Sequence, residues 1–271
     1  MSSPKLVVSD IDGTLVDKQK RLTQATIDAV ERLRAAGLGF TMISARPRSG
    51  MMPIADALRI EGPMAAFNGG LIFHRDGRID AHHGIEPAVA RGVLALAADL
   101  AVDLWVFADD RWYASTVEGA HVGSERVASD QEPIVRDSFD DLLDRADKIT
   151  FVSDEPELLR ALQVRVDEDF GGGATIALSK PYYLDVTALA ANKGTGVEAL
   201  AAAAGVSLAN VAAMGDQAND LPMLTRAGLS IAMGNAPSAV QASADHITGT
   251  NDADGVAQAI DTLILPALEQ S

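Results

Sequence analysis

The chain has 271 residues, 48% of them hydrophobic, with 22 basic against 38 acidic side chains and a formal net charge of −16. That is apolar material for one large domain or two smaller ones, while the acidic balance and the lack of any tract of five basic residues argue against a nucleic-acid or membrane-surface partner. The absence of cysteine rules out disulfides and thiolate metal sites; with no signal-peptide core after Met1 and no apolar run near the ~18 residues of a membrane span, a cytoplasmic protein is expected.

In chain order, Leu6–Ser9 reads as a short apolar strand running into Asp10-Ile11-Asp12-Gly13-Thr14. Residues 23–36 read as an amphipathic helix, with Ile27, Val30 and Leu33 on one face and Gly37 as its stop. Residues 39–43 are the next strand, Ser44 is placed where a helix begins, and a helix is expected near 48–58. Residues 64–67 form a third strand ending in Asn68-Gly69-Gly70. Strand and helix thus alternate through short connections, the pattern of an α/β, Rossmann-like parallel sheet wound on both faces.

The middle of the chain breaks that alternation. Short strands flank Asp76-Gly77, a hairpin signal. Residues 87–100 read as helix, 102–107 and 112–115 as strands, 148–152 as strand and 156–169 as helix, and 175–178 and 183–186 as strands. Gly171-Gly172-Gly173 is a turn rather than a phosphate loop, because no strand feeds into it. From Asn192 the alternation returns, with helices expected at 194–204, 221–227, 236–242 and 255–263 and strands at 210–214 and 229–232. The expected organisation is a discontinuous core, residues 1–83 and 188–271, with an α+β cap inserted at 84–187.

Four segments carry chemistry. Asp10 and Asp12 lie just past the end of a strand, where open α/β sheets bind ligands. Such a pair can hold a hard cation, share the roles of nucleophile and general acid, or do both. Ser44, read as opening a helix, would offer a hydroxyl beside backbone N–H groups, suited either to an anion or to an ordinary cap. Lys193, in Asn192-Lys193-Gly194, starts a helix against the dipole, which points to a second task such as pairing with carboxylate or phosphate. Met214-Gly215-Asp216-Gln217-Ala218-Asn219-Asp220 follows an apolar run and supplies oxygen ligands suited to Mg²⁺, with Asp216 the direct one and Asn219 and Asp220 supporting it.

Together these segments resemble the haloacid dehalogenase superfamily, in its Cof-like branch, whose members carry a large α/β cap. The likeness spans the chain. Asp10-x-Asp12-Gly13-Thr14-Leu15 fits the first motif in full. Ser44 and Arg46 fit the second, where Ala45 replaces the usual Gly. Lys193-Gly194 fits the third, and Gly215, Asp216, Asn219 and Asp220 fit the fourth. Asn68-Gly69 and Ala232-Met233-Gly234-Asn235-Ala236 are similar to recurring stretches of that family.

The resemblance implies a Mg²⁺-dependent phosphatase of small phosphorylated metabolites. In it, Asp10 is the nucleophile and Asp12 the general acid and base. Asp10, Asp216 and the backbone carbonyl of Asp12 hold the metal. Ser44, Lys193, Arg46 and Asn219 bind phosphate, and Asp220 lies behind them. A phosphomutase and a non-catalytic phosphate-binding protein are the alternatives, and the molecule is expected to act as a monomer or homodimer. In the cap, Arg111, His121, Lys180 and Tyr182 are weak candidates for leaving-group contacts. His82-His83 reads as hinge surface, and Trp105 and Trp112 read as cap core.

Overall fold

The computed structural model describes residues 3–269. Its central element is the strand Leu6–Ser9, paired in parallel on one side with Gly39–Met42 and on the other with Val211–Gly215. The sheet continues through Leu229–Ala232 to a short strand, His246–Ile247, which the sequence reading did not place. Alternation along the central strand serves both faces. Val7 packs with the helix Gln24–Ala35 and the C-terminal helices, while Leu6 and Val8 pack with the helix Lys193–Ala203. This is the doubly wound α/β sheet that the alternation implied. Thr23 caps the first helix by accepting from the Thr26 N–H.

Two local expectations change. Ser44 does not open a helix. Pro47 is the N-cap of the helix Arg48–Ala57, and Ser44 lies in an extended link, its N–H donating to the Ala65 carbonyl and its own carbonyl accepting from Asn68. Among the described residues, Met64–Ala66 pairs with the parallel sheet through a single Ile43–Ala65 bridge. It belongs instead to a three-stranded antiparallel sheet with Leu71–Phe73 and Ile79–His82.

A second large sheet has six strands, in the spatial order Ala174–Lys180, Tyr183–Ala188, Ala146–Val152, Asp103–Ala108, Arg111–Ala114 and Ile134–Val135. One face is covered by the helices Pro87–Ala97 and Pro156–Phe170, over a core of Val106, Ile149, Phe151, Leu184 and Val186. The other face looks toward the parallel sheet. Trp105 and Trp112 are buried, but on this second face. They belong to one apolar cluster with Met51 and Phe67 rather than to the interior of the inserted sheet. The reason is the period of two: Trp105 and Phe107 alternate with Val106 and Ala108. The helix Val122–Ser129, which sequence patterning missed, packs at this junction against Arg48–Ala57. Among the described residues, no helix is long and apolar enough to cross a membrane.

Candidate active site

The loops leaving Leu6–Ser9, Gly39–Met42 and Val211–Gly215 meet at the carboxyl end of the parallel sheet. They bring Asp10, Ser44 and Asp216 together with Lys193. The Asp10 N–H donates to the Met214 carbonyl at 2.9 Å, which ties the first and last of these loops to each other. Lys193 is the first residue of its helix. Asn192 caps that helix, its side chain accepting from the Gly194 and Thr195 N–H groups, each at 3.0 Å. With 2% of its surface exposed, Lys193 places Nζ 2.5 Å from Asp10 Oδ1 and 2.5 Å from Asp220 Oδ1. Burial alone would favour the neutral amine. The two carboxylates override it and hold the ammonium above its ordinary range.

Asp220 is fully committed. Besides Lys193, its other oxygen accepts from the Asp216 and Gln217 N–H groups, both at 2.8 Å. It shapes the turn and aims the lysine. Asp216 accepts from Thr14 Oγ1 at 3.3 Å, Gln217 Nε2 at 2.9 Å and Asn235 Nδ2 at 3.3 Å. Gly13, at a φ of +88°, lets it approach, since a Cβ there would stand 2.4 Å from Asp216 Oδ2.

Oxygens of Asp10, Asp216 and Asp220 lie within 4.8 Å of one another, all buried. Burial raises the carboxyl groups of Asp10 and Asp216. Lys193 only partly offsets this for Asp10, and repulsion from Asp220 adds to it for both. Lys193 bonds two of these three buried acids, Asp10 and Asp220, and Asp216 has no ion-pair partner of its own among the described residues. With Asp220 occupied by Lys193 and the turn, the oxygens left for a hard cation are those of Asp10 and Asp216.

Asp12 turns to a different partner set. Arg46 grips it with both ends of the guanidinium, Nε to Oδ2 at 2.7 Å and Nη2 to Oδ1 at 2.9 Å, and Lys20 Nζ bonds Oδ1 as well. Burial works against ionisation, but the hydrogen bonds and charge of Arg46, reinforced by Lys20, hold this carboxyl well below the usual range. Arg46, which the resemblance implies as a phosphate ligand, gives three of its five guanidinium N–H groups to Asp12 and, through Nη1, to the Gly50 carbonyl at 3.0 Å. Lys20 escaped the sequence reading; a basic residue eight positions past Asp12 carries no periodic signal. Ser44 Oγ lines the same cleft and accepts from the Arg46 N–H at 3.2 Å. Asn219 also lines it, its amide 3.4 Å from Asn68 Oδ1.

Residues of the six-stranded sheet, among them Trp105, Lys148, Thr150 and Asp185, form one wall of the cleft. Paired rows cross that sheet: Trp105, Thr150 and Asp185 in one, Phe107, Lys148 and Thr187 in the next. Thr150 Oγ1 donates to Asp185 at 2.7 Å. Lys148 Nζ reaches across to the Ala45 carbonyl at 3.2 Å and lies 4.4 Å over the Phe107 ring. Of the four candidates proposed for the cap, Lys180 and Tyr182 line the cleft. His121 stacks on Tyr182 and pairs with Asp154, and Arg111 is exposed elsewhere. Glu125, Lys148, Thr150 and Asp185 were missed. For Lys148, Thr150 and Asp185 the signal was present in Lys148-Ile149-Thr150-Phe151 and Tyr183-Leu184-Asp185-Val186, where polar residues alternate with buried apolar ones; Glu125 lies on the unexpected helix Val122–Ser129. His82 bonds Asp147 and so links the strand Ile79–His82 to the inserted sheet.

Residues 7–260 match the family model of haloacid dehalogenase-like hydrolases. The chain belongs to that family. It is 32% identical over 258 residues to a putative phosphatase of Haemophilus influenzae, covering 93% of this chain and 95% of the other. It is 29% identical over 244 residues to the HMP-PP phosphatase of Citrobacter koseri, covering 90% and 89%. Its fold is similar to the crystal structure of a haloacid dehalogenase-like hydrolase from Bacteroides thetaiotaomicron, with a TM-score of 0.84, 27% identity and coverage of 96% and 99%.

Proposed function

We propose that this hydrolase is a Mg²⁺-dependent phosphatase of small phosphorylated metabolites that works through an aspartyl phosphate on Asp10. The observation that carries the reading is Asp10, paired with the buried Lys193 behind it, in a cleft that also holds Asp12, Ser44 and Asn219. An Asp10 oxygen attacks phosphorus while the bond to the ester oxygen breaks. Lys193, Ser44 and Asn219 hold the phosphoryl oxygens, with the lysine countering the charge that builds on them. Asp12 gives a proton to the departing alkoxide. It then takes one from the water that attacks the phosphoryl group, which frees phosphate and restores Asp10. Arg46 and Lys20 orient Asp12. The dianionic phosphate entering beside it opposes their field and favours the protonated form this step needs. When bound, Mg²⁺ held by Asp10, Asp216 and the Asp12 carbonyl would offset the repulsion between carboxylate and phosphate. Residues 84–187 act as the cap that shields the reaction and selects the leaving group.

The test is a phosphate-release screen over sugar phosphates, nucleotides, flavin mononucleotide and pyridoxal phosphate, with Mg²⁺ or with excess chelator. Release with Mg²⁺ that disappears in chelator is expected. An isomerised ester in place of phosphate would favour a mutase, and binding without turnover of any ester would favour a non-catalytic role.

A further inference from the structure

Each acid that lines the cleft has a donor, with one exception. Asp10 has Lys193, Asp12 has Arg46 and Lys20, and Asp185 has Thr150. Glu125, on the helix Val122–Ser129, lines the cleft with 7% of its surface exposed, and its carboxylate receives no hydrogen bond among the described residues. Its carboxylate oxygens open into the cleft rather than being sealed in the protein, so they are free to accept from a group that enters it. The position is also fixed. One turn on, Ala128 packs against the Gly50 backbone, and Ser49 Oγ donates to the Ser129 carbonyl at 2.5 Å. Glu125 is therefore held over the cleft by a helix docked at its end.

We propose that Glu125 is the leaving-group receptor of this enzyme, its carboxylate accepting hydrogen bonds from the hydroxyl groups of a polyhydroxylated alcohol. The inference rests on the phosphatase reading and names the substrate class for that site. Two observations favour hydroxyl groups over charged ones. The neighbouring cap surface is hydroxyl- and acceptor-rich, with Thr150, Ser179 and Asp185. The cleft already carries Lys20, Arg46, Lys148 and Lys180, so an added ammonium would meet like charge, while a second anion would meet Glu125 and Asp185. Burial pushes the Glu125 carboxyl up to about 7, only partly opposed by Lys148, as befits an acid awaiting donors.

The experiment measures kcat/KM with Mg²⁺ for wild type, Glu125→Gln and Glu125→Ala on hexose 6-phosphate, glycerol 3-phosphate, phosphoethanolamine and phenyl phosphate, whose leaving group has no further hydroxyl. The expected result is a fall of about tenfold in the hexose-to-phenyl ratio for Glu125→Gln, and more for Glu125→Ala, carried mainly by KM. An unchanged ratio, with both esters losing equally, overturns the assignment and leaves Glu125 a structural residue. A loss confined to phosphoethanolamine overturns the choice of hydroxyl over amine. Wild-type turnover of phenyl phosphate but of no hydroxylated ester refutes the inference and leaves the phosphatase reading standing. No phosphate from any ester refutes both.

Discussion

Gly50 lies so close to Ala128 that a Cβ added to Gly50 would stand 1.8 Å from the Ala128 carbonyl oxygen. The helices Arg48–Ala57 and Val122–Ser129 thus meet backbone to backbone, at the point where Arg46 also bonds the Gly50 carbonyl. Gly→Ala inside a helix ordinarily stabilises by about 1 kcal/mol. Here the clash reverses the sign, and Gly50→Ala is expected to lower stability by about 1–3 kcal/mol and to displace Glu125 from the cleft. Urea unfolding and kcat/KM on a hydroxylated ester check this. A variant as stable and as active as wild type would show that the contact is not maintained in solution.

Asp10→Asn is expected to lower kcat at least a hundredfold, a barrier change of roughly 3 kcal/mol, while the far-UV circular dichroism is unchanged. Asn keeps the shape but is a far poorer nucleophile. Retention of more than about a hundredth of the wild-type rate would place the nucleophile elsewhere.

Lys193→Met removes the one cation buried among Asp10 and Asp220. Breaking such a pair costs about 3–5 kcal/mol, so unfolding in chelator should shift to much lower urea concentration. Saturating Mg²⁺ should recover more stability in this variant than in wild type, because a bound cation relieves the same repulsion. Equal stabilisation of the two proteins by Mg²⁺ would argue that the metal and Lys193 do not share these acids.

Glu125→Gln should make the protein more stable at high pH. The Glu125 carboxyl is raised to about 7 from 4.5, chiefly by burial, with Lys148 and Lys20 opposing and Asp185 and Asp12 adding. A raised pKa means that the folded state holds the proton more tightly than the unfolded one. The stability this confers is complete below about pH 4.5 and is lost as pH rises through about 7. Glutamine does not titrate, so the melting temperature of the variant relative to wild type should climb across that window, by on the order of 3 kcal/mol in stability. A constant difference from pH 4 to 8 would mean that Glu125 is solvated or paired in solution.

The parallel sheet was legible because apolar strands end in polar turns, a pattern local in sequence, while the grouping of Asp10, Asp12, Ser44, Lys193 and Asp216 was implied by the resemblance of four distant segments to one family's motifs. Partner choice was less so. That Arg46 turns to Asp12 depends on the path from Pro47 into the next helix, and the motif alone does not show it. Lys20 reaches Asp12 from a left-handed backbone position, with φ of +62°, that a non-glycine residue rarely takes. The cap surface was written in two-residue alternation. Short strands with Lys or Asp facing inward look like exposed edges until something is known to lie over them.

The position of Leu6–Ser9 in the middle of the parallel sheet also sets the order in which the molecule can be made. The first strand can pair early with Gly39–Met42, but Leu6 also pairs with Val211 and the Lys5 N–H bonds the Asn210 carbonyl, so its other edge waits until Val211 is made. At ~5–20 residues per second that wait is on the order of ten to forty seconds. The six-stranded sheet draws all its strands from Asp103–Ala188, so it can close while the ribosome is still working. The nascent protein can therefore close the six-stranded sheet before Asp10 meets Lys193 and Asp216, both of which lie in the last third of the chain.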